Sequence, residues 1–238
     1  MSNLYNPKFV EDLFDRMSGS YELMNYYSSF GFSDKWRKQF VNEIDIKTSK
    51  LTIVDLMSGM GECWKFILPK IEESSTLIAL DFSSEMVNKS KKIKEKHSNK
   101  KIEILEENVF QNSIKTNIAD IVYSGFGLKT FNEEQLNLLA EEIKRILKTN
   151  GRFSLIDVSV PENKILKTLY LFYLKNVIPL IGKLFLSNPE TYKMLGVYTN
   201  NFKNSIKTKE IFESHGFRVE YIEYFYGCAT GIKGLKKE

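Results

Sequence analysis

The residues best placed for chemistry sit in "LTIVDLMSGMGECW", residues 51–64, where an apolar, β-branched run carries Asp55 and breaks into Gly59 and Gly61. A strand that turns sharply into a helix needs glycine where the backbone bends and where a ligand meets the main chain with no side chain between. Asp81 closes the next apolar run about 20 residues further on, the spacing at which a carboxylate accepts hydrogen bonds from both hydroxyls of a ribose. Glycines followed by an acid, in this order, favour a bound nucleoside. The same residues also fit an ordinary turn, with Asp81 capping the helix that opens "SSEMVNKSKK".

A dinucleotide needs a third small residue where Trp64 stands, because the helix packs closely on the strand there. The indole therefore argues against NAD or FAD, and no Gly-Lys-Ser/Thr run offers a phosphate-cradling loop. A single adenosine without a pyrophosphate needs no third glycine, and Asp55 can hold an ammonium group or order the loop. S-adenosyl-L-methionine fits these residues better than a phosphate nucleotide. Further along, Lys129 follows the fourth apolar run and Asp157 ends the fifth, at the sheet edge where α/β sites assemble. There Lys129 is read as an ammonium that stabilises a phenolate, and Asp157 as the proton acceptor. The alternative is a solvated loop lysine and a helix-capping aspartate. His97 and His215 share no HExxH spacing, so no metal is expected.

These residues need a scaffold, and the apolar runs at 51–57, 77–82, 102–106, 119–124 and 152–158 supply one. Amphipathic stretches lie between several of them, the pattern of a parallel sheet covered by helices. In "FNEEQLNLLAEEIKRILKTNG", Asn132 caps a helix, Leu136, Leu139, Ile143, Ile146 and Leu147 share its apolar face, and Gly151 is expected to stop it. A second helix closes at Gly216, and the residues after it read as two successive strands forming an antiparallel edge. The 238 residues, 42% of them hydrophobic, are enough for one domain with a sizeable core. Residues 1–50 are read as a helical cap and 159–205 as a lid over the substrate.

Within that insertion residues 165–186 are strongly apolar, but Lys167, Lys175 and Lys183 interrupt them and Pro179 breaks them, which argues against a membrane span. An amphipathic cover over an apolar pocket is expected, with attachment to a membrane surface as the alternative. A net charge of +4 falls short of a nucleic-acid binder, and no basic and aromatic RNA-binding module is visible. The lysine run at 88–101 reads as a solvated face. Cys63 and Cys228 form no CxxC pair, and the polar, acidic first residues read against a signal peptide, which fits a cytoplasmic protein.

"FDRMSGSYELMNYYSSFGFSDKWRKQFV", "VDLMSGMGE", "LDFSSEMV", "FGLKTF", "RILKTNGRFSLIDVS" and "LYLFYLKNVIPLIGKL" together resemble the ubiquinone/menaquinone biosynthesis C-methyltransferases, a class I S-adenosylmethionine-dependent family. The resemblance covers nearly the whole chain. It implies a Rossmann-like, seven-stranded, mostly parallel sheet with an antiparallel last strand, a cofactor over the first two strand ends, and a pocket roofed by the N-terminal helices and the insertion. Carried over residue by residue, it implies Gly59 and Gly61 beneath the methionine and ribose, Asp81 on the ribose, Phe82 against the adenine and Asn108 at the exocyclic amine. Tyr21, Asp55, Met60, Val109 and Ser124 complete the cofactor shell that the resemblance implies. Trp36, Phe126, Tyr170, Tyr173 and Tyr198 are the expected substrate-pocket residues. The chain departs from the family at Met57 and Met60 in the glycine turn, at Asn108 where Asp is usual, and at Lys129 and Thr130 where the family has Arg-Asn. Residues 192–203 differ as well.

The reading is an S-adenosylmethionine-dependent methyltransferase for an apolar, aromatic small molecule of quinol or phenol type, with methylation on carbon favoured. An O- or N-methyltransferase of a specialised metabolite and a non-catalytic ligand-binding partner are the alternatives. No nucleic-acid partner is expected, and a homodimer is left open.

Overall fold

A computed structural model of the chain describes residues 4–19, 29–46, 50–178 and 189–237. The strands are β1 (Thr52–Leu56), β2 (Thr76–Asp81), β3 (Lys101–Glu106), β4 (Ala119–Gly125), β5 (Leu147–Val158), β6 (Phe217–Tyr224) and β7 (Ala229–Lys236). The helices are α1 (Pro7–Met17), α2 (Phe32–Asn42), α3 (Trp64–Ile67), α4 (Ser84–Glu95), α5 (Glu133–Ile146), α6 (Lys164–Phe172), α7 (Pro189–Phe202) and α8 (Ile206–Ser214). The seven strands form one sheet in the order β3-β2-β1-β4-β5-β7-β6. The first five strands pair with one another in parallel, while β7 runs antiparallel to both β5 and β6.

Burial explains the strand sequences. β1, β2 and β4 are covered on both faces and buried along nearly their whole length, whereas the outer β3 and β6 carry exposed residues among buried ones. Successive side chains serve opposite cores. Val54 and Val122 join Leu139, Ile143 and Phe212 on one face, and Ile53 and Ile121 join Phe40, Trp64 and Tyr123 on the other. The last turn of α2 is fastened to that second face. Tyr123 Oη donates to the Val41 carbonyl at 3.0 Å and Ser154 Oγ to the Phe40 carbonyl at 2.9 Å, which otherwise accepts only a longer bond from the Glu43 N–H of the helix cap.

The expected end of α5 is corrected. A capping box of Asn132 and Gln135 starts the helix as its sequence indicates, but the helix stops at Ile146 and the chain enters β5 directly at Leu147. Gly151 therefore lies inside a strand. The β4–β5 register slips from Ala119 opposite Leu147 to Ile121 opposite Arg152, and Asn150 takes the left-handed turn at φ 61°. A Cβ on Gly151 would lie 2.8 Å from the Lys148 carbonyl oxygen and 3.1 Å from that of Ala119, so the glycine answers a close approach of backbone. The helix closing at Gly216, with φ 85°, and the antiparallel pair that follows agree with the sequence reading.

In the insertion, α6 runs into a π-helical turn over Tyr173–Val177. Leu166 and Tyr170 pack inward, while Ile165, Leu169 and Phe172 stay exposed. Pro179 and Lys183 lie outside the described residues. Among the described residues no helix is long and apolar enough to cross a membrane. Gly151→Ala should cost about 1 to 3 kcal/mol in urea denaturation, since the carbonyls around it belong to the sheet and cannot yield freely. Cofactor affinity per folded molecule should be unchanged.

Candidate active site

Beyond β1 the chain turns at Met57, a non-glycine residue held at φ 54°, and then at Gly59 and Gly61 with φ 57° and 90°. The Gly59 N–H donates to Asp81 Oδ2 at 2.8 Å and the Ser83 N–H donates to Asp81 Oδ1 at 3.0 Å. Asp81 thus ties the two loops together, and the cap of α4 is Ser83, whose Oγ accepts from the Met86 N–H. Burial pushes the Asp81 carboxyl up to about 6, against the opposing pull of its backbone donors. A carboxylate has about four lone-pair positions, so these two donors leave room for a diol.

Trp64, standing where a third glycine would be, has a positive role. Its indole packs so closely beneath the turn that a Cβ on Gly61 would fall 2.7 Å from the ring. Its Nε1–H donates to Asp55 Oδ2 at 3.0 Å, while the buried Asp55 Oδ1 has no hydrogen-bond partner. Burial is the main reason the Asp55 carboxyl is pushed up to about 8, and the negative charges of Glu62 and Asp81 add to it. Glu62, which the motif contains but the sequence reading gave no part, braces the turn. Its Oε2 accepts from the Met60 N–H at 3.0 Å and its Oε1 accepts from Arg37 Nη2 at 3.3 Å.

A cavity with about 900 Å³ of empty space, open solvent included, lies over this turn. Asp55, Gly59, Asp81, Phe82, Asn108 and Val109 all line it, as expected. Other expected cofactor residues stand elsewhere. The Met60 side chain packs with Val10, Leu13 and Met17 of α1, and Gly61 acts through the turn. Ser124 is buried within β4 and its hydroxyl has no partner, so it does not reach the cavity. Tyr21 lies outside the described residues. Pro7, Val10 and Phe14 of α1 form a wall that the sequence reading missed.

A second cavity, with about 1460 Å³ of empty space including open solvent, adjoins the first and is lined by Trp36, Phe126, Tyr170 and Tyr173 as expected. Burial raises the phenols of Tyr170 and Tyr173, so neither ionises near neutrality. Tyr198 is corrected: its ring is fully buried edge-on to Tyr5, and its hydroxyl donates to the Leu4 carbonyl at 2.5 Å, which makes it a clasp between α7 and the N-terminal segment. Phe126, at φ 70°, and Arg37 line both cavities, with the guanidinium carbon 4.9 Å from the ring centroid.

Lys129 lines the second cavity but is no solvated loop residue. Its ammonium donates to Asp157 Oδ1 at 2.9 Å and to the Phe126 carbonyl at 2.6 Å, and its backbone N–H reaches Asp157 Oδ2 at 2.8 Å. Asp157 also accepts from the Val158 N–H, is wholly buried and faces neither cavity. The geometry does not support Asp157 as the proton acceptor, because its oxygens are engaged and out of a substrate's reach. It holds Lys129 in place. Among the described residues no group of three His, Cys, Asp or Glu side chains is arranged for a metal, and both cysteines are buried and free.

Residues 1–236 match the ubiE/COQ5 methyltransferase family. The chain belongs to that family. The demethylmenaquinone methyltransferase of Lactococcus lactis subsp. lactis is 33% identical over 235 residues, covering 98% of this chain and 92% of that one. That of Lactobacillus johnsonii is 31% identical over 240 residues, covering 100% and 97%. Among solved structures, a SAM dependent methyltransferase from Aquifex aeolicus superposes with a TM-score of 0.59 at 20% identity, over 84% of this chain and 88% of that one. Phosphoethanolamine N-methyltransferase 2 of Haemonchus contortus, in complex with S-adenosyl-L-methionine, gives 0.59 at 13% identity, over 86% and 53%. These two likenesses carry the fold alone. As a ubiE/COQ5 methyltransferase the chain is an S-adenosylmethionine-dependent enzyme, and the first cavity offers groups that a nucleoside bearing an ammonium could use: the Asp81 carboxyl, the Phe82 ring and an Asp55 oxygen without a partner.

Two outcomes test this geometry. Asp55 carries a carboxyl whose ordinary value near 4 rises to about 8 on folding, so its contribution to stability is full below about 4 and is lost as pH rises through about 8. Asp55→Asn keeps an acceptor for Trp64 and should melt about 4 °C or more above the wild type at pH 8.5 in cofactor-free thermal scans, with the gap closing toward pH 5. Lys129→Met should cost about 3 to 5 kcal/mol in urea denaturation by stranding a buried carboxylate, and adding Asp157→Asn should restore most of it.

Proposed function

We propose that this enzyme methylates a ring carbon of an apolar aromatic quinol, of the kind named in its demethylmenaquinone methyltransferase relatives. The observation that carries this reading is the shared wall: a large apolar, aromatic cavity meets the cofactor cavity at Phe126 and Arg37. An acceptor with a flat ring and an apolar tail suits such walls, and Trp36, Tyr170 and Tyr173 bring aromatic surface for a ring to pack against.

Bound in the first cavity, S-adenosylmethionine supplies a methyl carbon on a sulfonium sulfur, which keeps the carbon–sulfur electron pair as a neutral thioether. The chain needs to do little covalent work. Asp81, Asp55 and the glycine turn hold one partner, and the second cavity orients the other so that its nucleophilic carbon faces the shared wall. A quinol oxygen that has lost its proton pushes an electron pair into the ring, the neighbouring carbon forms the new carbon–carbon bond, and the proton on that carbon departs to solvent as aromaticity returns. Cationic side chains at the cavity stabilise the oxyanion on which this depends. The aliphatic and aromatic lining keeps bulk water from the reacting face.

The test is incubation with S-adenosylmethionine carrying a deuterated methyl and a panel of reduced naphthoquinols, phenols and amines, followed by mass spectrometry of the products. The expected result is one labelled methyl on a ring carbon of a naphthoquinol. Label on oxygen, or transfer to amines with quinols untouched, would overturn the reading.

A further inference from the structure

The second cavity is apolar almost throughout, yet the charged side chains that line it among the described residues are Arg37 and Lys129, both cations. Among the described residues no carboxylate faces it. A cavity built this way suits an acceptor that carries or develops negative charge on one polar end while the rest stays apolar. The two cations are not equivalent. Lys129 spends two of its three ammonium N–H bonds on Asp157 and the Phe126 carbonyl, and it lines the second cavity only.

Arg37 stands where the two cavities meet. It is buried, its guanidinium lies against the Phe126 ring, and it is paired with Glu62 at 3.3 Å and Asp34 at 3.6 Å. Methyl transfer brings the nucleophilic carbon to the wall between the cavities, and the oxygen that activates that carbon is attached one ring position away. The cation nearest that meeting point by position is therefore Arg37. Its carboxylate partner also matters. Glu62 faces the cofactor cavity, and its second oxygen accepts from the Met60 N–H inside the glycine turn. A continuous path of charge-assisted contacts thus runs from the acceptor cavity, through Arg37 and Glu62, to the loop beneath the cofactor.

We propose that Arg37 is a catalytic residue that holds the deprotonated oxygen of the acceptor, and that Glu62 is its positioning residue, coupling acceptor binding to the cofactor turn. This rests on the reading of the second cavity as the acceptor site. The acceptor's O–H bond breaks with its electron pair left on oxygen and its proton passed to solvent, and the guanidinium stabilises the resulting anion. Glu62 keeps the guanidinium against Phe126 and aligned with the wall.

The probe is 1-naphthol, whose ionised form absorbs at longer wavelength, titrated on the full chain saturated with S-adenosylhomocysteine. In the wild type the bound naphthol should ionise about one pH unit or more below its value in solution, as expected for a phenol beside a fixed cation. Arg37→Met should abolish the shift, read at saturating S-adenosylhomocysteine, and lower kcat/KM for the acceptor by about 10²-fold at saturating S-adenosylmethionine. Arg37→Lys should recover part of the shift, since it keeps the charge without the planar fork. The double variant Arg37→Met/Glu62→Leu leaves no stranded carboxylate and should behave as Arg37→Met. In the wild type S-adenosylhomocysteine should tighten naphthol binding by about fivefold or more, and Glu62→Gln should erase that coupling. No naphthol binding, no shift in the wild type, or a shift that survives Arg37→Met and disappears in Lys129→Met overturns the proposal. Methyl transfer to amines alone, with the naphthol shift intact and dependent on Arg37, overturns the quinol reading and leaves Arg37 as the oxyanion site.

Discussion

Three carboxylates, Asp55, Glu62 and Asp81, are buried around a single glycine turn, and the rest of the site is arranged to make that tolerable. Burial above all pushes the Asp55 and Asp81 carboxyls up, and the negative charge of Glu62 adds to both. Asp81 is offset by two backbone N–H groups, Glu62 by the Met60 N–H and the Arg37 guanidinium, and Asp55 by one indole N–H with its other oxygen left over. A ligand that brings positive charge, as a sulfonium and an ammonium do, would offset the crowding of these carboxyls and let Asp55 give up its proton. The same crowding also explains why α2 must sit where it does: Arg37 comes from that helix, and Tyr123 and Ser154 fasten its end to the sheet.

The parts of this design that follow from short-range pattern were legible in the sequence. Strand runs repeat with clear apolar composition, and Gly59 and Asp81 stand at a spacing set by one strand-helix-strand unit, whereas Phe82 and Asn108, just beyond β2 and β3, were reached only through the family resemblance. What depended on long-range pairing was not. Arg37 and Glu62 meet across 25 positions of sequence and belong to different elements, and nothing local in "DKWRKQ" announces a buried guanidinium. Asp157 reads as available because it ends a strand, and only the fold shows that the ammonium of Lys129 and two backbone donors close around it. Tyr198 misleads in the same way, since its hydroxyl is spoken for by a carbonyl 194 positions away. Gly151 was misread because a glycine that stops a helix and a glycine that admits a crossing backbone look alike in one dimension.

Two non-glycine residues in left-handed conformations, Met57 after β1 and Phe126 after β4, stand at the carboxyl ends of adjacent central strands. Backbone of this kind costs on the order of 1 to 3 kcal/mol at each position and persists where surrounding structure over-determines it. Here it sends both chains sharply away from the sheet, opening a crevice between them at the centre of the strand order. The Phe126 ring becomes the partition between the two cavities as a result.

The position of β7 carries a consequence for how the molecule comes into being. β7 lies inside the sheet, hydrogen-bonded to β5 on one side and β6 on the other, although it is the last strand in chain order. During synthesis β5 emerges long before the neighbour that will cover its open edge, and β6 has nothing to pair with until residues 229–236 follow it out. The earlier half can assemble its parallel core, but one flank of β5 stays an exposed template for stray strands until the final hairpin docks. Lesions in the β6–β7 hairpin therefore leave that flank of β5 uncovered, and their first consequence is aggregation of the chain rather than a change in its chemistry.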